Sequence, residues 1–422
     1  MTQMTRPAMT TRGAADGGGR GLAARVSLGR IFTPVSSEFV IIASTALLLT
    51  AFGLVMVLSA TSATAVDRGE GPYDVVLKQG VFALVGVPLM FLLSRLPVEF
   101  WKRIAWPALI LTTLLQLLVF VPGLGVENDG NRNWILVAGQ NIQPSEFLKL
   151  SLALWAGLIL YRKQKLLRLW KHVFIPLIPV SALVIGTVMG GHDLGTAMIL
   201  FLVLLGALFF SGVRLRIFLL PLLLSLVAVA VLALTSKRRM SQIMSLFNPD
   251  TIDCYYTDCY QQLHAVWGMA NGGIFGLGLG NSQEKYGWLP AASNDYIFAI
   301  VGEELGLIGC AIVLGLFAMF AVGVFHIIRK TADPFVRIVS GGIVVWVIGQ
   351  ALINIGVVLR IFPVLGVPLP FMSQGGTSLV SVLIACGVLL SFARSLPAGA
   401  SAGALRGPAL REGPANRGRV AR

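Results

Sequence analysis

The chain has 422 residues, of which 56% are hydrophobic and only 12% charged, with a mean hydropathy of +0.81. That composition excludes a large soluble domain and places the protein in a membrane. The formal net charge of +14 does not make it a nucleic-acid binder, because the Lys and Arg residues sit mainly between and beyond apolar runs.

Residues 1–35 are rich in Gly, Ala, Thr and Arg. They bury too little surface to fold alone and are expected to form a disordered basic tail. No cleaved signal peptide is expected, since the first apolar run starts near Phe39 and is long enough to span. Residues 36–395 read as one membrane domain. Its apolar runs lie at about 39–62, 75–95, 101–121, 145–161, 173–190, 194–212, 215–235, 296–328, 337–359 and 371–393. Each is near the ~20 residues that a spanning helix needs. The expected fold class is therefore an all-α integral membrane protein with about ten transmembrane helices. An even number of spans puts both tails on one side, and 24 of the 33 Lys and Arg residues fall there. The positive-inside rule makes that side cytoplasmic. Residues 396–422, rich in Ala, Gly, Pro and Arg, are expected to form a second disordered tail.

Two connections then lie outside. One is short, 122–144, and the other long, about 236–295. A connection of that length is uncommon unless it is functional or disordered. Its aromatic, glycine-rich run AVWGMANGGIFGLGLG predicts an ordered segment with short interfacial or re-entrant helices. Cys254 and Cys259 fall within it, and an oxidising compartment favours a disulfide between them. No His/Cys cluster with zinc spacing accompanies the pair. Lys237, Arg238 and Arg239 form an outer basic cluster, read first as an anchor to headgroups and second as a contact for a lipid diphosphate.

Asp295 closes the long loop where the eighth apolar run begins, and Glu303 and Glu304 follow within the first turns. Ionisable residues entering a membrane span are costly, so each is a functional candidate. Asp295 has two readings. It can act as a general base at the membrane surface, or it can join Ser293 and Asn294 as a cap for the helix that follows. The run reads as a continuous helix, on which Ala299, Gly302, Gly306 and Gly309 share the Asp295 face. Such a strip suits helix packing first and a polyprenyl chain second. Glu146 and Lys149, in QPSEFLK, are i,i+3 neighbours at a helix start. They pair in one reading and line a substrate cavity in the other. Asp193, in HDLGTA, is either structural or cavity-lining.

Five segments occur in this order: NWILVAGQNIQPSEFLK, HDLGTA, GLGLGNSQEKYGWLP, DYIFAIVGEELGLIG and PVLGVPLPFMSQGGTSL. Together they resemble the SEDS family of bacterial cell-wall proteins. The GNSQEKYGWLP run is similar to the family's cell-division (FtsW) branch rather than its elongation (RodA) branch. The resemblance implies a peptidoglycan glycosyltransferase that polymerises lipid II on the outer face of the plasma membrane at the division septum. It also implies a class B penicillin-binding protein and other divisome membrane proteins as partners, with no nucleic acid. Asp295 is implied as the catalytic base. Arg132, Glu146, Lys149, Lys285, Glu304 and Ser373 are the substrate-binding candidates. A divalent cation, Mg2+ or Mn2+, is implied by the family alone, with no ligand set in view. The chain departs from the family where Asn133 precedes Trp134 in place of Arg, leaving Arg132 offset by one. Ser293 stands at a common His position and Gln374 at a common Tyr position. A lipid II flippase or transporter, a RodA-like elongation polymerase and a divisome scaffold are the rival readings.

Overall fold

A computed structural model describes residues 36–396, apart from residues 68, 70, 72, 129–130, 138, 168, 236, 248–254 and 256–258. Both expected tails, 1–35 and 396–422, lie outside the described residues but for position 396. In chain order the helices that match the apolar runs are α1 (Ser37–Asp67), α2 (Asp74–Leu93), α3 (Val98–Leu117), α4 (Pro144–Arg162) and α5 (Trp170–Gly190). They continue with α6 (Leu194–Phe210), α7 (Leu215–Thr235), α10 (Ile297–Lys330), α11 (Pro334–Val358) and α12 (Gly376–Arg394). Two shorter helices, α8 (Lys237–Phe247) and α9 (Tyr260–Gly272), lie in the long connection, as its composition predicts. Seven of the described helices are long and apolar enough to cross a membrane.

The bundle is centred on α4, α11 and α12. From Pro144 to Leu160, every residue of α4 except Phe147 is buried, including the charged Glu146 and Lys149. Small residues let the neighbours close in. Gly341 of α11 lies against the Phe210 ring at the end of α6, and Gly387 of α12 against the Met90 backbone of α2. Such close approach gives packed apolar helices their contact in the absence of a hydrophobic drive between them.

Two features depart from an all-helical reading. The short connection holds a three-stranded antiparallel sheet, β1 (Gly125–Asn128), β2 (Asn131–Val137) and β3 (Gln140–Ile142). The second departure is in α10. Gly306 has φ 64° and ψ −163°, so Ile297–Leu305 is a short helix set off from the longer one beyond it. The backbone groups freed at the break bond to the loop after α9. Leu277 and Gly278 N–H donate to the carbonyls of Glu303 and Glu304, and Leu307 and Ile308 N–H donate to those of Gly273 and Ile274. Exchange of this kind is what permits irregular backbone at membrane depth. The break also ends the continuous strip below Asp295. Gly302 packs on Met269 and Gly309 on Leu305, so these positions serve packing.

Cys259 is disulfide-bonded, while Cys310 and Cys386 are free and buried. Cys254, its expected partner, lies outside the described residues. The helix backbone of Lys237, Arg238 and Arg239 is described, but their side chains are not.

A Cβ at Gly306 would meet the Ile274 carbonyl, and the left-handed φ adds strain. Nothing lies near a Cβ at Gly315, farther along the same helix. Gly306→Ala should therefore lower the thermal midpoint of the solubilised protein, by on the order of 1–3 kcal/mol of stability, and Gly315→Ala should leave it level or raise it. Equal midpoints for the two would remove the structural role of the break.

Candidate active site

Asp295 sits one residue before the N-cap of α10, on a turn that starts at Ala291. The N-cap residue is Tyr296, and no side chain caps this helix. The capping reading of Asp295 therefore does not hold. Among the described residues, no hydrogen bond or ion pair uses the Asp295 carboxylate. Its main-chain carbonyl, by contrast, is fixed. Asn354 Nδ2 donates to it at 2.7 Å and to the Val367 carbonyl at 2.8 Å. This ties the end of the long loop to α11 and to the turn at 365–368. The carboxylate is half-buried beside Gly366. Burial pushes its pKa up to about 6, and the nearby Asp193 charge adds to that.

Asp193 reaches the same place from α6. It caps that helix, accepting from Thr196 N–H at 2.8 Å and from the Thr196 hydroxyl at 2.7 Å. Gln143 Nε2 donates at 3.3 Å to the oxygen that also accepts from the Thr196 hydroxyl. Burial raises the Asp193 pKa, the Thr196 bonds oppose this, and the charge on Lys149 opposes it further. The break between α5 and α6 that sets Asp193 in place runs through His192, at φ 64°. Ala291 and Phe371 also hold positive φ, at 55° and 67°. His192 directly precedes Asp193, Ala291 lies four residues before Asp295 and Phe371 two before Ser373, and strain of this kind gathers at functional turns.

Glu146 and Lys149 form a buried ion pair at 2.7 Å, each about 1% exposed. Lys149 also donates to Gln350 Oε1 at 3.0 Å, and the Lys149 ammonium lies 5.2 Å from the Trp346 ring. Gln350 in turn accepts from Trp346 Nε1 at 2.8 Å and donates to the Pro368 carbonyl at 2.8 Å. Ser381 of α12 donates to the second Glu146 oxygen at 3.3 Å. The pair is thus the joint of α4, α11 and α12. Lys149 acts on the acidic site through its field on Asp193, and its ammonium is occupied within the protein.

Lys285 and Glu304 belong to a second polar cluster. Their ion pair is 3.0 Å long and almost fully buried, and Ser59 of α1 donates to both Glu304 oxygens at 2.6 and 2.7 Å. Lys285 also donates to the Gly280 carbonyl at 2.6 Å. Glu303 accepts from the Ser282 hydroxyl and, at 2.9 Å, from the Gln283 N–H. These bonds fasten the glycine-rich loop to α10 and α1. Ser373 is also occupied, donating to the Asn294 carbonyl at 2.6 Å and accepting from Leu369 N–H at 2.7 Å. It braces the turn that carries Asp295. Arg132 lies on β2, half-buried, with its N–H on the Gly191 carbonyl at 2.9 Å, two residues before Asp193. Among the described residues it makes no ion pair. Asn133 is fully buried between Gln116 and the Gly191 carbonyl, at 3.0 Å from each.

The structure therefore brings Asp295 together with Asp193, Gln143, Asn354 and the Glu146–Lys149–Gln350 joint. Lys285 and Glu304 stand in a separate cluster. The sequence carried a signal for Asp193, whose D-x-x-T spacing is a helix cap. It carried none for Asn354 or Gln350, which are single amides within an apolar run.

Residues 39–397 match the family FTSW_RODA_SPOVE, described as "Cell cycle protein". The chain belongs to the FtsW/RodA/SpoVE family. It is 39% identical over 364 residues to "Probable peptidoglycan glycosyltransferase FtsW" of Mycobacterium tuberculosis, covering 86% of this chain and 69% of that protein. It is 34% identical over 363 residues to "Stage V sporulation protein E" of Bacillus subtilis, covering 85% and 97%. Among solved structures, a chain of a peptidoglycan synthase complex that coordinates polymerization and crosslinking matches with a TM-score of 0.68 at 23% identity, covering 86% and 98%. The rod shape determining protein RodA of Thermus thermophilus matches with a TM-score of 0.63 at 24% identity, over the same shares. The chain thus has the family fold, with a helix at each of the ten expected apolar runs, seven of them long and apolar enough to cross a membrane.

In this family member, removing one partner of the buried pair leaves the other charge stranded. Lys149→Met should destabilise the solubilised protein by about 3–5 kcal/mol. Adding Glu146→Gln should recover most of that loss in a thermal melt. An undamaged Lys149→Met melt would show that the pair does not join the three helices.

Proposed function

We propose that the protein is a septal peptidoglycan glycosyltransferase that polymerises lipid II, with Asp295 as its general base. One observation carries the assignment of the base. Asp295 presents a half-buried carboxylate that, among the described residues, no helix cap, ion pair or hydrogen bond consumes, on a loop whose carbonyls are held by Asn354, Ser373 and Gln374. A pKa near 6 leaves the group ionised at neutral pH and basic enough to take a proton in the transition state.

The reaction class suits that group. The donor is a growing glycan on its lipid diphosphate, and the acceptor is the 4-hydroxyl of a new lipid II sugar. Asp295 takes the hydroxyl proton as the oxygen attacks the anomeric carbon, the diphosphate leaves, and the configuration inverts. Asp193 stays engaged with Thr196 and Gln143 and raises the basicity of Asp295. Among the described residues no group of three His, Cys, Asp or Glu side chains is placed to hold a metal. A Mg2+ or Mn2+ that enters with the substrate's diphosphate would take phosphate oxygens and waters as ligands, with Asp193 the nearby carboxylate, and would leave the Asp295 carboxylate to act as base. Such a cation would neutralise charge on the leaving diphosphate.

The names of the relatives at 34–39% identity support the glycosyltransferase reading and its division branch. The similarity to a chain of a peptidoglycan synthase complex supports a class B penicillin-binding protein as partner. Divisome membrane proteins and a septal location follow from the FtsW-like reading. Both tails would be cytoplasmic, with Asp295 on the outer face.

Asp295→Asn keeps the shape of the side chain and removes the proton acceptor. Lipid II polymerisation by the purified protein with its class B partner should fall roughly 10²–10⁴-fold, with unchanged melting and partner binding. Full activity would exclude the base, and lipid II transport retained without polymerisation would favour a flippase. The orientation has its own test. A cysteine at the exposed Gln283 should react with an impermeant reagent on intact cells, and one at the exposed Lys165 should not. The reverse pattern would put the site on the wrong face.

A further inference from the structure

The end of the bundle opposite Asp295 holds a polar cavity of about 480 Å³, lined by Gln164, Leu167, Ser211, Gly212, Arg214 and Arg337. The helix α6 fixes that placement. It begins just after its cap Asp193 and runs 17 residues, Leu194–Phe210, about 25 Å at 1.5 Å per residue. Among the described residues no acidic side chain lines the cavity. The nearest acid in sequence to Arg337 is Asp333, which is taken up by Lys102 at 2.8 Å and by the Phe335 N–H at 2.9 Å. Arg337 is half-buried, and its Nε donates to the Phe210 carbonyl at 3.1 Å. Its two Nη groups make no hydrogen bond among the described residues. Arg214 is exposed and makes no ion pair there.

A second cavity, of about 430 Å³ and almost wholly apolar, has a lining that ends one helical turn from the first, at Leu208. It runs between α5, α6 and α7, past Phe174, Leu177, Phe201, Leu208 and Leu224. The two cavities share a seam. The hydroxyl of Ser211, which lines the polar one, donates at 2.7 Å to the carbonyl of Leu208, which lines the apolar one. The apolar cavity opens toward the bilayer, where Ile178 and Leu224 are 42% and 52% exposed.

We propose that these paired cavities form a binding site for an anionic phospholipid of the leaflet opposite Asp295. The phosphate sits between Arg214 and Arg337, and an acyl chain follows the α5–α6–α7 groove. The guanidinium groups match phosphate oxygens in a forked geometry that an ammonium lacks. Basic pockets between membrane helices are suited to lipid headgroups. The apolar groove separates this occupant from a free phosphate, which has nothing to place there.

Native mass spectrometry of the full chain in mild detergent tests the site. Equal amounts of phosphatidylglycerol and phosphatidylcholine with matched chains are offered as probes. The wild type should retain phosphatidylglycerol preferentially, and each arginine should account for about a fivefold preference. Arg214→Gln, a change at an exposed loop residue, should lower that preference by about the same factor. Ala182→Phe, which fills the groove, should reduce retention of both lipids. Excess inorganic phosphate should not displace the bound phosphatidylglycerol. Three outcomes would overturn the proposal: no preference in the wild type, an undiminished preference in a well-folded Arg214→Gln protein, or full displacement by phosphate. The last would mark a free anion site. Arg337→Gln also loses the bond to Phe210, so the safer Arg214 variant decides the result.

Discussion

A half-buried carboxylate that no described residue bonds or pairs with is the constraint on which the rest of this structure depends. Leaving a buried polar group unsatisfied costs about 1–3 kcal/mol, and more for a charge, so such a group persists only where its surroundings leave it no alternative. Around Asp295 that is done through the backbone. Asn354 holds its carbonyl, Ser373 holds that of Asn294, and Gln374 N–H donates to Ser293 at 2.8 Å. The side chain is left free because the main chain on both sides of it is fixed. Asp193, itself the cap of α6 and hydrogen-bonded, supplies a nearby negative charge that keeps the Asp295 proton affinity high.

Two buried ion pairs carry the load around this point, and they do different work. Glu146–Lys149 joins the three central helices and sets the field at Asp193. Lys285–Glu304, with Ser59, pins the glycine-rich loop onto the broken helix α10. The break at Gly306 makes the second arrangement possible, because the carbonyls of Glu303 and Glu304 bond to the loop in place of the helix. Buried pairs add little stability over apolar residues, yet are costly to break. Here each joins segments that are distant in sequence, so each fixes the relative placement of helices on which the site is built.

The ten long helices were legible because a run of apolar residues near spanning length has few other uses. The break at Gly306 was not, since GEELGLIG continues the apolar run and its compensating partners, residues 273–278, lie about thirty positions upstream. The small sheet escaped notice because its strands are short and sit in a polar loop. Asp295 stood out by its place at the loop end, but a cap and a base look alike in sequence. Only the fold shows that Tyr296 occupies the cap position. Lys149 was recognised as a charge entering the membrane, while its partner Gln350 is 201 positions away and has no local signature.

The pH dependence of lipid II polymerisation tests the base assignment most directly, compared between wild type and Asp193→Asn. Asn keeps the capping ability of Asp and removes the negative charge that raises the Asp295 pKa. The account predicts a wild-type rate that falls on the acid side with an inflection near the value of about 6, and an inflection moved to lower pH in Asp193→Asn. A rate that is flat between about pH 5 and 8, where a base of this pKa must titrate, would contradict it, as would an inflection that Asp193→Asn leaves in place.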